Sequence, residues 1–303
     1  MTELTSPDSD ARLQALGAVA ARLRCPNCAA SLRLAGRTLR CARGHAFDVA
    51  REGYVTLTPP RPRPAAGDSA QMVRARERFL AGGHYAAIAD ALLAAADEAS
   101  PAAADRQILA VDLGAGTGYY LTGLLAARAN WRGVALDASR TALRRAVRAH
   151  PRIAAVACDA WQELPLADAV VDLVVNVFAP RNAHEIARML APAGALIVVT
   201  PAPEHLRGLI DALGLLDVGA DKQNRLQAQL APLLQPVRRR ELQFTMQLDR
   251  EQTRALVTMG PSAHHLDADE LSAALRRLPD DLAVRASVVI ETFRHSDEAS
   301  ASA

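Results

Sequence analysis

The stretch Val111-Asp112-Leu113-Gly114-Ala115-Gly116-Thr117-Gly118-Tyr119-Tyr120 limits this chain to few folds, because three glycines join two different hydrophobic patterns. Ile108 to Leu113 reads as a buried strand, and Leu121, Leu124 and Leu125 recur at helical spacing after Gly118. The glycines therefore sit at a strand-to-helix turn. Glycine accepts backbone angles that other residues resist, and it lets backbone come close to a ligand. The spacing is G-x-G-x-G, whereas a dinucleotide turn is G-x-G-x-x-G with a pyrophosphate on the helix N-terminus. Asp112 would repel a pyrophosphate. A carboxylate there suits a cationic amino-acid end, and S-adenosylmethionine carries an α-ammonium as well as its sulfonium. Gly133 to Asp137 reads as the next strand, ending in a carboxylate that can accept both hydrogen bonds of a ribose diol. The competing reading is an α/β domain with a tight turn and no nucleotide.

The alternation continues on both sides of this loop. Ser69 is positioned to cap a helix over 70–80, and a second helix follows at 86–96. Strands are predicted at 108–113, 133–136, 153–157, 170–177 and 194–200, with helices at 118–129, 139–149 and 182–190 between them. Such alternation predicts an α/β fold whose parallel sheet binds ligands at the carboxyl ends of its strands. Asp112, Asp137, Asp159 and Asn176 all fall at such ends. Asp159 suits the adenine amino group, or a turn cap. Cys158 reads as a small buried side chain. Beyond a helix near 205–213, a strand at 239–248, helices opening at Asp249 and Asp267, and a strand at 283–293 complete the pattern.

Ahead of this domain stand Cys25, Cys28, Cys41 and His45, spaced C-x2-C-x12-C-x3-H. Two thiols from a C-x-x-C turn, completed by a second Cys/His pair, can make the closed tetrahedron of structural zinc. A redox C-x-x-C would explain neither Cys41 nor His45. Residues 22 to 63 carry nine Arg against Asp48 and Glu52, leaving −5 for the rest of a chain whose formal charge is +2. Three thiolates around Zn²⁺ leave one negative charge, so Arg24, Arg33, Arg37, Arg40 and Arg43 exceed what the site needs. The surplus suits phosphate, the sequence-independent part of nucleic-acid binding; the alternative is a solvated ribbon surface.

These features divide the chain into an extension over 1–21, a zinc ribbon over 22–58, a Pro-rich linker over 59–66, a large domain over 67–295 and a polar tail over 296–303. Phe47 to Leu57 is predicted to close the ribbon, and the prolines to keep two cores apart. No run of about 18 uncharged apolar residues is present, and Met1 to Asp10 lacks a basic start and an apolar core. A cytoplasmic chain without a membrane partner is expected.

Together the C-x2-C-x12-C-x3-H pattern, FDVAREGYVTL, GDSAQMVRARERFLAGGHY, VDLGAGTGYY, VFAP and TPAPEHL resemble the bacterial RlmA-type 23S rRNA (guanine-N1)-methyltransferases over roughly residues 23 to 295. The resemblance implies a seven-stranded, Rossmann-like methyltransferase sheet with an N-terminal zinc ribbon. It implies zinc on Cys25, Cys28, Cys41 and His45, and cofactor contacts at Tyr85, Tyr120, Leu121 and His205. It also implies an rRNA hairpin as partner, with a link to macrolide-type resistance in some members. The chain departs from the pattern in its extra N-terminal residues and in Asn176 before Val-Phe-Ala-Pro.

The reading is an S-adenosylmethionine-dependent enzyme that methylates guanine N1 in 23S rRNA, with Gly114, Gly116 and Gly118 in the cofactor loop. Asn176 is expected to donate to guanine O6 as N1 loses its proton, and Phe178 to stack on the extruded base; the structural alternatives are a turn cap and a core ring. Two rivals stand: a small-molecule or protein methyltransferase whose ribbon makes a homodimer, and a non-catalytic RNA-binding factor.

Overall fold

The computed structural model describes residues 7–58, 67–100, 106–214, 228–260 and 267–296. The Pro-rich stretch read as a linker, the last seven residues and the first six lie outside them.

Apolar runs covered on both faces make the centre of the fold. Strand β5 (Ile108–Leu113) is buried at every position, as are β7 (Ile153–Ala157) and β8 (Val171–Val177). A strand this uniformly buried needs helices on both faces of its sheet. With β6 (Trp131–Asp137) and β9 (Leu190–Pro201) these strands run parallel, while β11 (Leu282–His295) lies antiparallel between β9 and β10 (Leu234–Leu248). The spatial order is β10-β11-β9-β8-β5-β6-β7-β4. Chain order reverses beside β5, so the crevice at its carboxyl end is the switch point where open α/β sheets bind ligands.

The helices follow from side-chain spacing and caps. Ser69 Oγ accepts from the Met72 amide at 3.2 Å and starts α2 (Ala70–Ala81), which leads into α3 (Ala86–Ala99). The glycine turn opens α4 (Tyr119–Ala127). In α5 (Arg140–Ala149), Ala142, Leu143, Ala146 and Val147 are buried, while Arg140, Arg144 and Arg148 face solvent. Shorter helices α6 (Ala183–Met189) and α7 (Arg207–Leu213) follow, then Arg250–Thr258 and Ala268–Leu275. No single helix among the described residues is long and apolar enough to cross a membrane.

The N-terminal module departs from expectation in how it meets the sheet. Strands β1 (Leu32–Ala35), β2 (Thr38–Cys41) and β3 (Ala46–Asp48) form the antiparallel ribbon. The segment predicted to close it does so only as far as β3. Strand β4 (Val55–Thr56) crosses to the large sheet and pairs parallel with β7, through Val55↔Val156 and Thr56↔Ala157. The seven expected strands thus gain an eighth. The reason is physical: β7 would otherwise leave an apolar, unpaired edge, and Val55 and Leu57 cover it.

The expectation of two separate cores is likewise corrected. Helix α1 (Pro7–Val19) buries Leu16 and Val19, and one buried cluster joins them to Leu23, Leu39, Val55, Val134 and Val156. The N-terminal segment, given no role from sequence, is part of this packing.

Candidate cofactor cavity and zinc ribbon

Two knuckle turns shape the metal cluster. The amide of Ala29 donates to Cys25 O at 2.8 Å, with Ala29 in the left-handed region, and Gly44 donates to Cys41 O at 3.1 Å. These turns bring one ligand atom each from Cys25, Cys28, Cys41 and His45 within 4.8 Å of one another. Cys28 Sγ lies 3.8 Å from Cys41 Sγ, and His45 Nδ1 lies 3.5 Å from Cys25 Sγ and 3.4 Å from Cys41 Sγ. Tetrahedral zinc with its usual bond lengths calls for sulfur pairs about 3.8 Å apart and nitrogen–sulfur pairs about 3.5 Å apart. The residues fit the ion. Burial raises the Cys41 thiol, but hydrogen bonds from the His45 backbone and ring and the Arg43 backbone outweigh it, bringing it down to about 6. That favours the thiolate which zinc binds.

At the switch point lies a cavity of about 830 Å³, lined by the glycine loop, Asp137, Asp159, Tyr85 and Phe178 among others. Gly114 and Gly116 have φ of +79° and +53°, a region other residues rarely enter. A Cβ on Gly114 would stand 2.3 Å from the Ala179 methyl, so the turn after β8 packs directly against the loop. The amides of Gly114 and Ala115 donate to Leu136 O at 2.8 and 3.0 Å, tying the loop to β6.

Asp137 Oδ2 accepts from the Gly116 amide at 2.8 Å, and Oδ1 from the Ser139 amide at 2.7 Å. An ionised carboxylate has about four acceptor positions, so two remain for a diol. Asp112 is 1% exposed, and its Oδ2 has no partner. Burial, reinforced by the charge of Asp137, raises its carboxyl to about 7 against one hydrogen bond from the Leu121 backbone. A buried acid left one acceptor short beneath this loop fits a cationic ligand. The Tyr120 hydroxyl is buried without a partner at the same cavity. Leu121 lies in the core and meets the site only through its backbone.

Tyr85, which lines the cavity, meets His205. The Ser287 amide donates to His205 Nδ1 at 3.2 Å, so the ring proton resides on Nε2, 3.4 Å from the Tyr85 oxygen. Burial lowers His205 to about 4, which keeps the imidazole neutral. Asp159 accepts the Trp161 amide on Oδ1 at 2.9 Å, so it caps a turn as well as lining the cavity.

Asn176 requires a correction. It is fully buried, and its amide nitrogen donates to Leu113 O at 2.9 Å and Pro180 O at 3.1 Å. Both amide hydrogens are engaged, so none is left for guanine O6. The side chain clasps the turn instead, for it sits on a central strand within reach of both carbonyls. Its neighbour Phe178 is partly exposed at the cavity, with φ of +52° and ring centroids 6.0 Å from Tyr85 and 5.6 Å from His205. A bulky residue in the left-handed region is strained, and such strain clusters at binding turns.

Sequence reasoning missed Arg76, Asp68 and Trp161, which also line the cavity. Arg76 pairs with Asp68 and donates to Met259 O at 2.8 Å. The only signal was the density of charge in GDSAQMVRARERF, which reads equally well as a solvated helix face.

Sheet order, glycine loop and the acids ending β5 and β6 together define an S-adenosylmethionine-dependent methyltransferase that carries a zinc ribbon. Residues 23–62 match the family described as RlmA, N-terminal, and residues 110–194 match a methyltransferase domain. A Streptomyces fradiae protein named 23S rRNA (guanine(748)-N(1))-methyltransferase is 46% identical over 272 residues, covering 90% of this chain and 96% of its own. A Micromonospora griseorubida protein, provisionally assigned as a 23S rRNA (guanine-N(1)-)-methyltransferase, is 46% identical over 290 residues, covering 90% of this chain and 97% of its own. A Bacillus subtilis relative with the same provisional assignment is 27% identical over 282 residues, covering 88% and 95%. The chain belongs to the 23S rRNA (guanine-N1)-methyltransferase family.

Proposed function

We propose that this protein transfers a methyl group to N1 of a guanine in a 23S rRNA hairpin, at the position numbered 748 in the name of the Streptomyces relative. The observation that carries the reading is the buried, under-partnered Asp112 beneath a glycine loop in a chain 46% identical to that enzyme over 90% of its length. S-adenosylmethionine supplies the electrophilic methyl group. Asp112 would hold its ammonium, Asp137 its ribose diol and Asp159 its adenine amino group. Tyr85 and Tyr120 would close the cavity around its methionine end, with neutral His205 fixing the Tyr85 hydroxyl.

Transfer would join guanine N1 to the methyl carbon as the carbon–sulfur bond breaks, with the N1 proton passing to solvent water. The chain contributes by holding the two reactants in line. The Watson–Crick edge must first leave its pair, and Phe178 would stack on the extruded base, a reading supported by its positive φ and its exposure at the cavity.

The ribbon is the RNA-recognition module in this reading. Arg33 and Arg40 are directly opposed in the β1–β2 register and both are exposed. Like charges opposite each other destabilise a sheet unless an anion lies between them, and an RNA phosphate satisfies that need. Arg24 and Arg37 have structural roles, pairing with Glu163 and capping Ala50 O. The test is incubation of the zinc-loaded protein with unmodified 23S rRNA and labelled cofactor, read by mass spectrometry of digested nucleosides. N1-methylguanosine at one position supports the proposal; label absent from RNA refutes it.

A further inference from the structure

Resting on the rRNA-methyltransferase reading above, we propose that Trp161 is a stacking platform for an unpaired base of the substrate RNA, adjacent to the guanine received by Phe178. Among the described residues, three large hydrophobic side chains are exposed: Trp161 at 61%, Val237 at 49% and Phe178 at 39%. Single exposed apolar side chains are ordinary on protein surfaces. Here, however, both aromatic members line the same cavity, and of the three only Val237 lies elsewhere.

The backbone holds the indole outward on a pinned turn. The Trp161 amide donates to Asp159 Oδ1 at 2.9 Å, and the Gln162 amide to Asp159 O at 3.1 Å. Two residues on, Glu163 pairs with Arg24 at 2.9 Å. The Arg24 amide donates to Pro165 O at 3.1 Å, and Leu23 bridges to Leu166. The turn is thus fastened at one end to an acid of the cofactor cavity and at the other to the segment entering the zinc ribbon. It lies between the two parts of the protein that the RNA has to touch.

A flat, exposed indole on a pinned turn can recognise another flat π system, and every unpaired base offers one. The adenine of the cofactor is the competing partner. Asp159, which would hold it, is 9% exposed. The indole, at 61%, is by contrast open to solvent.

The chain provides its own probe. It has two tryptophans, and Trp131 is 1% exposed in the core, so quenching by an added ligand reports on Trp161. Zinc-loaded, full-length protein would be titrated with a 23S rRNA fragment spanning the target guanine, without cofactor and then with it. The expected result is quenching by RNA that Trp161→Ala abolishes. That variant should bind RNA roughly 10- to 100-fold more weakly, while Trp161→Phe retains most of the affinity. KM for RNA should rise more than kcat falls, and calorimetric affinity for S-adenosylmethionine should hold in both variants. RNA affinity unchanged in Trp161→Ala overturns the platform, provided the wild type methylates the fragment. Quenching by S-adenosylmethionine, with its affinity lost in Trp161→Ala, also overturns it and gives the indole to the cofactor. A wild type that neither binds nor methylates the fragment overturns the rRNA reading and the platform together.

Discussion

Val55 lies in parallel register with Val156, so the strand that leaves the zinc ribbon is the outermost strand of the methyltransferase sheet. Folding of the metal module and of the sheet edge are therefore coupled. Cys28→Ser, or chelation, is expected to release one zinc per chain. It should lower the Tm of the whole protein by about 3–5 °C, the size that a loss of roughly 2–3 kcal/mol produces in a chain this long. Metal analysis with calorimetry checks this. A sheet transition that keeps its temperature after zinc loss would contradict the shared core.

Asp112 links cofactor binding to pH. Its folded carboxyl, raised to about 7 by burial and by Asp137, stands above the ordinary value of about 4. Ionising it therefore costs the folded state more than the unfolded one, so stability falls as pH climbs from about 4 to about 7; below that window both states keep the proton and the cost vanishes. A cationic ligand prefers the ionised form. Affinity for S-adenosylmethionine should accordingly rise between about pH 5.5 and 7, below the range where an α-amino group itself titrates. Asp112→Asn should flatten this profile, weaken binding by about 1.5–3 kcal/mol and stabilise the free protein above pH 7. Calorimetry across this range, with thermal melts, supplies both readouts.

The opposed pair Arg33 and Arg40 yields a prediction with two signs. Replacing both by Ala should reduce the slope of log K against log salt for RNA by about 1.4–1.8, if each side chain meets one phosphate. The same change should leave the ribbon as stable or slightly more so, because it removes a repulsion. Filter binding at several salt concentrations tests the first part and thermal melting the second. An unaltered slope would leave these arginines as a solvated surface.

At Phe178, backbone and ring are separable. Phe178→Gly should melt higher than Phe178→Ala, by about 1 kcal/mol, because glycine accepts the positive φ that alanine resists. Both variants should lose methyl transfer to RNA while keeping cofactor affinity, since both lack the ring. Asn176→Ala should instead cost about 1–3 kcal/mol of stability by removing its buried hydrogen bonds to the Leu113 and Pro180 carbonyls. Equal melting of the glycine and alanine variants would mean that the turn relaxes freely.

Sequence reasoning carried furthest where one residue type has one physical use. The glycine turn, the runs forming β5, β7 and β8, the caps at Ser69, Asp249 and Asp267, and the four metal ligands are of this kind. It failed where the outcome depends on a distant partner. Val55 and Leu57 look like the end of a ribbon until β7 is known to have a free edge beside them. Asn176 looks like a free amide until two carbonyls close on it, and Trp161 stands in a polar loop whose orientation is set by Asp159 and Arg24. Tyr85 and His205 were reached through resemblance alone, because nothing local indicates that residues 120 positions apart share a hydrogen bond.

The absence of a side chain at Gly114 is filled by the methyl of Ala179, so the glycine loop and the turn after β8, which the proposed function assigns to the methyl donor and the acceptor base, share one wall. Neither surface can drift by a fraction of an ångström without carrying the other along. If the proposed function holds, the separation between donor and acceptor would thereby be set by a contact inside the protein, before either reactant arrives. Lineages or engineers seeking a different acceptor atom would have to alter the two positions together.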